Sequence, residues 1–178
     1  MVKLLRKTVR QLILEACQRQ KYWGIAAAGV VVICSEDSSI YLHHRHNGKW
    51  AYPGGGIHLG RERFVPTPIP EEVRLNTNDL RFRSQAIREL EEEAGYLGLP
   101  PYTIVDELIT YEDCGFIYKT FIADINLEDK LDWDPQPHPR CAWEVQDHGW
   151  FGKEEWEKKD LHRGFTPELR SAIRGRMQ

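Results

Sequence analysis

At 178 residues and 41% apolar content, the chain is sized for one domain with a full core, and it holds no apolar run of about eighteen residues that could cross a membrane. The net charge of −3 is uneven: Lys3, Arg6, Lys7, Arg10, Arg19 and Lys21 face Glu15 alone in residues 1–21, so the remainder is markedly acidic. An acidic body argues against extended nucleic acid as a partner and suits a small anionic ligand, provided metal ions supply positive charge.

In chain order, Leu4, Leu5, Val9, Leu12, Ile13 and Ala16 recur at helical spacing, which predicts a docked amphipathic helix over 1–21 ahead of a domain over 22–178. The same segment is basic enough for a mitochondrial presequence, but Glu15 breaks its apolar core too early for a secretory signal. Residues 24–34 (GIAAAGVVVIC) read as a buried strand, 40–44 as a second, and Asn47-Gly48 as the turn into a short strand over 49–52 and a glycine loop. A helix is expected from near Ser84, a potential cap, to Gly95, a natural residue just past a helix end. Residues 102–111 and 116–125 predict a hairpin, 126–139 a Pro-rich loop, 140–145 a strand and 153–159 a helix. Thr166-Pro167-Glu168 opens a final helix. Cys17, Cys34, Cys114 and Cys141 show no C-x-x-C spacing and read as reduced thiols in a cytoplasmic protein.

The most informative stretch is Arg88-Glu89-Leu90-Glu91-Glu92-Glu93-Ala94-Gly95-Tyr96. On a helix, Glu89, Glu92 and Glu93 stand at i, i+3 and i+4 and share one face. Three like charges that close repel each other. A divalent cation reverses the sign, because clustered hard oxygens are what Mg²⁺ or Mn²⁺ takes. The bland reading of the same residues is an acidic solvated face.

The upstream residues favour the metal. Trp50-Ala51-Tyr52-Pro53-Gly54-Gly55-Gly56, then Glu62, then the Arg88–Tyr96 run, resemble the signature of the Nudix hydrolases, and all nine positions of its second half match. The departure is in spacing. Twenty-five residues separate Glu62 from Arg88 where the family has seven, so residues 63–80 form an inserted segment, and Arg61 competes with Glu62 for the first glutamate position. The resemblance implies an α+β fold, the Nudix-type α/β/α sandwich with a mixed central sheet. It implies a metal-dependent pyrophosphohydrolase that cleaves a nucleoside diphosphate linked to another moiety, either ADP-ribose- or NADH-like or a nucleoside triphosphate. The alternative is a Nudix-fold module that binds a nucleotide without hydrolysing it.

By that resemblance, Glu89, Glu92 and Glu93 are the candidate ligands of Mg²⁺ (or Mn²⁺), and Gly55 and Gly56 bring backbone close to the diphosphate. Arg88 and Glu62 are structural, Arg88 pairing with a carboxylate to hold the helix against the loop, or simply with Glu92 at i+4. The catalytic base is left between Glu89 and Glu144, with Glu107 and Glu112 as outsiders. Arg45 is a candidate substrate contact. His43 and His44 alternate on a strand and so face apart, which disfavours a shared metal. Trp23, Trp50, Tyr52, Trp143 and Trp150 offer stacking surfaces for a base, against the commoner role of core packing. The insertion, with Val65-Pro66-Thr67-Pro68-Ile69-Pro70, is either a wall of the pocket or an excursion packed elsewhere. The expected partner is a small-molecule nucleotide substrate, with no membrane involved and a homodimer left open.

Overall fold

The computed structural model describes residues 26–57, 80–113 and 116–177, and the elements are numbered over these. The expected helix over 1–21, Glu62 and the insertion up to residue 79 lie outside the described residues.

Strand β1 (Ala26–Cys34) is buried along all nine residues, so it must lie inside a sheet covered on both faces. It pairs in parallel with β6 (Phe116–Asp124), from Ala26↔Ile117 to Ile33↔Asp124. On its other side it pairs antiparallel with β2 (Ser39–Arg45) at Ile33↔Ile40 and Cys34↔Ser39, and then with β4 (Gly54–Gly56) at Ala27↔Gly56 to Gly29↔Gly54. Strand β2 turns away to pair with β3 (Trp50–Ala51) and, along its whole length, with β7 (Val145–Gly152). Strand β5 (Thr103–Asp113) completes the sheet against β6, making seven strands among the described residues.

Alternation along β1 sorts its side chains into two cores. Ala26, Ala28, Val30, Val32 and Cys34 meet Phe82, Ala86, Leu90 and Ala94 of helix α1 (Leu80–Ala94). Val31 and Ile33 meet Trp156, Phe165, Leu169, Ile173 and Met177 on the opposite face, drawn largely from α3 (Lys153–Trp156) and α4 (Pro167–Arg176). The four apolar residues of α1 recur every fourth position, and burying a side chain such as Leu90 or Phe82 is worth about 1.5–3 kcal/mol. Helices cover both faces of a mixed sheet, which is the expected α/β/α sandwich.

Several expectations are corrected. Helix α1 includes Leu80, so that end of the supposed insertion is helical and Ser84 lies inside the helix instead of capping it. Buried Phe82 continues the apolar spacing one turn earlier than the carboxylates suggest. The glycine loop is a strand at Gly54–Gly56, held close because both partners are small: a Cβ on Gly29 would lie 2.7 Å from the Pro53 carbonyl oxygen. The expected loop over 126–139 contains α2 (Leu127–Asp132), whose Asp129 amide donates to the Asn126 side chain at 2.7 Å. Residues 140–144 form a turn, not a strand, because the Cys141 and Ala142 amides both donate to the His138 carbonyl, at 2.7 and 2.9 Å. The last helix is capped by Thr166 as its sequence predicts. Among the described residues, no helix is long and apolar enough to cross a membrane.

Candidate active site

Helix α1 lies against β1 and β4, which sets its carboxylates over the glycine strand. Glu93 is buried, and its Oε2 accepts a hydrogen bond from the Gly54 amide at 2.9 Å. Glu89 sits directly over Gly55, where a Cβ would come within 2.6 Å of Glu89 Oε2. Here glycine is required by close approach and not by backbone twist. Gln85, one turn earlier and buried, donates to Glu89. Arg88 reaches Glu89 and Glu92 at 3.0 Å each, so among the described residues its partners are on its own helix.

Burial sets the electrostatics. Desolvation, then repulsion from Glu89 and Glu144, pushes Glu93 up to about 8 against the pull of Arg45 and the Gly54 amide. Desolvation raises Glu89 to about 7, with Arg88 opposing and Glu92 and Glu144 adding to the rise. Beside Glu93, His43 Nδ1 lies 3.9 Å from its Oε2, but burial holds that imidazole down at about 3. That histidine is therefore neutral at neutral pH, and the contact is not an ion pair. Neither nitrogen of His43 has a hydrogen-bond partner among the described residues.

The end of β2 and the turn before β7 bring two more charged residues to these carboxylates. Arg45 Nη2 meets Glu144 Oε2 at 3.3 Å, bringing together two residues 99 positions apart. That turn is tied to the end of α1. The amides of His138 and Gln136 donate to the carbonyls of Glu92 and Ala94 at 2.6 and 3.0 Å, and the Tyr96 amide donates to Gln136 at 2.9 Å. A distant segment thus satisfies carbonyls that a helix C-terminus leaves open, at about 0.5–1.5 kcal/mol for each bond. Gly95 follows the helix as expected, but with an ordinary φ; it makes room for Leu99, and Gly98 takes the positive φ of 123°.

The structure therefore gathers Glu89, Glu93, Gly54, Gly55, Arg45 and Glu144 into one cluster, with Gly56 paired to Ala27 just beyond. Glu92 points to Arg88, and among the described residues no three acidic, histidine or cysteine side chains converge as a ready metal cage. The donor set nevertheless fits a hard divalent cation. Two desolvated carboxylates with raised pKa, Glu89 adding to the rise at Glu93, lie against a glycine strand, and a cation would relieve that repulsion. His44 turns to the other face onto Trp50 at 5.0 Å, as alternation requires. Sequence reasoning missed Gln85, the burial of His43 and the loop that closes α1. The period-two array Tyr41, His43, Arg45 was the available signal for His43.

No family model and no curated protein matches the sequence. Solved structures do match over most of its length, and they define the fold as that of the Nudix hydrolases. An Ap4A hydrolase from C. elegans, in a binary complex, superposes with a TM-score of 0.54 at 21% identity, over 84% of this chain and 93% of that one. The NUDIX domain of Shewanella oneidensis NrtR, determined with ADP-ribose, gives 0.53 at 15% identity, over 87% and 89%. The M. smegmatis Nudix hydrolase RenU gives 0.51 at 21% identity, over 87% and 86%.

Proposed function

We propose that this chain is a metal-dependent pyrophosphohydrolase acting on a nucleoside diphosphate joined to another moiety. The observation that carries the reading is the apposition of Glu93 and Glu89 of α1 to Gly54 and Gly55. A diphosphate repels an incoming nucleophile, so a site for its cleavage must neutralise charge and hold water in line. Glu89, Glu92 and Glu93 would hold Mg²⁺ or Mn²⁺, which supplies charge neutralisation and a more acidic bound water. Glycine backbone leaves space for phosphate oxygens beside them. Arg45 would contact substrate, a reading supported by its hydrogen bond to Glu144 beside the carboxylates of α1.

Glu144 and Glu89 remain the two candidates for the base. Glu89 belongs to the metal helix, whereas Glu144 approaches it from the turn before β7. The fold neighbours support two substrate types, a dinucleoside polyphosphate such as Ap4A and ADP-ribose.

The second reading is a Nudix-fold module that binds the nucleotide without hydrolysing it. A hydrolysis screen over Ap4A, ADP-ribose, NADH and nucleoside triphosphates, with Mg²⁺ or Mn²⁺ and products identified, decides. Metal-dependent release of a nucleoside monophosphate is expected. Saturable binding with no cleavage of any of them would replace the enzyme with the binding module.

A further inference from the structure

Trp143 is exposed over 67% of its surface, whereas Trp133 and Trp156 are buried at 9% and 0%. A single exposed apolar residue is ordinary on a protein surface. This one differs in where it stands and how it is held. It precedes Glu144, whose carboxylate meets Arg45 at 3.3 Å, and its ring lies 6.0 Å from that of His46, the residue after Arg45. Two adjacent residues from the end of β2 therefore face two adjacent residues from the turn, just beyond the last rung of the ladder at Arg45↔Val145. Glu144 adds to the rise at both Glu89 and Glu93, and Arg45 opposes it at Glu93, so this pair lies close to the carboxylates of α1. His46 and Trp143 stand next to it, one residue along each segment.

The turn that carries Trp143 is not free to swing. The Cys141 and Ala142 amides donate to the His138 carbonyl, the Glu144 amide donates to Cys141 at 2.8 Å, and His138 is tied to Glu92 of the catalytic helix. Holding a large apolar ring in water on a fixed turn gains nothing for the fold, whereas a rigid aromatic loses little entropy on binding a ligand. The neighbouring chemistry names that ligand. A guanidinium and an acidic helix that can take a metal suit a phosphate, and an open indole face suits a planar heterocycle stacked upon it.

We propose that Trp143, braced by His46, is the platform on which the base of a nucleotide stacks while its phosphates lie beside Arg45. This rests on the reading of the Glu89, Glu93 and Arg45 cluster as a nucleotide site and adds the residue that recognises the base. Stacking is tolerant of base identity, since every base has a π face. The platform therefore selects for a nucleotide over a sugar phosphate more than for one base over another.

The test is equilibrium binding without divalent metal, with adenosine monophosphate as probe and ribose 5-phosphate as the base-free control. Intact protein is compared with Trp143→Phe and Trp143→Ala by calorimetry and tryptophan fluorescence, with thermal melts confirming that each variant is folded. Adenosine monophosphate should quench the intact protein and leave Trp143→Phe unquenched. Its Kd should weaken about tenfold or more in Trp143→Ala and be largely recovered in Trp143→Phe. Ribose 5-phosphate should bind all three alike. An unchanged Kd in Trp143→Ala, or quenching that persists in Trp143→Phe, overturns the proposal, as does absence of any binding by adenosine monophosphate. Base-dependent binding with no hydrolysis in the screen would sink the enzymatic reading and leave the platform standing. Hydrolysis with binding indifferent to Trp143 would do the reverse.

Discussion

Glu93, near the end of α1, accepts a 2.9 Å hydrogen bond from the amide of Gly54, 39 residues earlier in the chain. That bond clamps the acidic helix to the glycine strand. It also leaves a carboxylate buried where its charge is costly unless a cation or a proton compensates it.

Replacing Glu93 by Gln keeps an acceptor for the Gly54 amide and removes the charge. Glu93→Gln is expected to melt at or above the metal-free parent's temperature and to lose activity by about a hundredfold or more at saturating Mg²⁺. Turnover within about tenfold of the parent would remove Glu93 from the metal site.

The two raised carboxyls make the metal-free protein sensitive to pH. Unfolded glutamate releases its proton near 4.5, while Glu89 and Glu93 retain theirs to about 7 and 8 in the fold. The native state then binds more protons than the unfolded chain, so stability falls as pH rises through this window. Mg²⁺ binds the deprotonated form, and its stabilising effect should be larger at about pH 8.5 than at about pH 5.5. Thermal melts with and without Mg²⁺ at both values measure this. An equal increment at the two would contradict it.

Neighbouring glycines should fail differently. The atoms nearest a Cβ on Gly55 belong to the end of the Glu89 side chain, so Gly55→Ala should cost under about 1 kcal/mol of stability but displace Glu89 and cut kcat about tenfold or more. A Cβ on Gly54 meets the Tyr118 hydroxyl and lies 3.0 Å from Gly29 Cα, so Gly54→Ala should lose about 1–3 kcal/mol. Urea midpoints and initial rates separate the two. Equal destabilisation of both variants would argue against the distinction.

The loop that closes α1 is open to a backbone test. Gln136→Pro deletes the amide that donates to the Ala94 carbonyl, at a cost of about 1–3 kcal/mol. Because Glu92 and Glu93 lie in that last turn, Mn²⁺ affinity, read by paramagnetic resonance, should weaken along with the melting temperature. Unaltered melting would mean that this bond contributes nothing.

Much of this protein is local in origin. The period-two burial of Val31 and Ile33 against Val30 and Val32, the i, i+3, i+4 placement of Glu89, Glu92 and Glu93, and the Thr166 cap are written within short windows. Backbone geometry alone converts such spacing into a shared face. The glycine run and the helix signature were also legible together, and so was the sandwich they imply.

Tertiary structure decided the rest. That Glu93 is buried while Glu92 turns to Arg88, that Arg45 meets Glu144 across 99 residues, and that residues 136–138 close the end of α1 could not be read from any window. The sequence by itself determined which residue types stand on which face of each element. Desolvation and long-range hydrogen bonding exist only once distant elements pack, and these decided which of three equivalent-looking carboxylates is held, raised in pKa and aimed at the glycine strand.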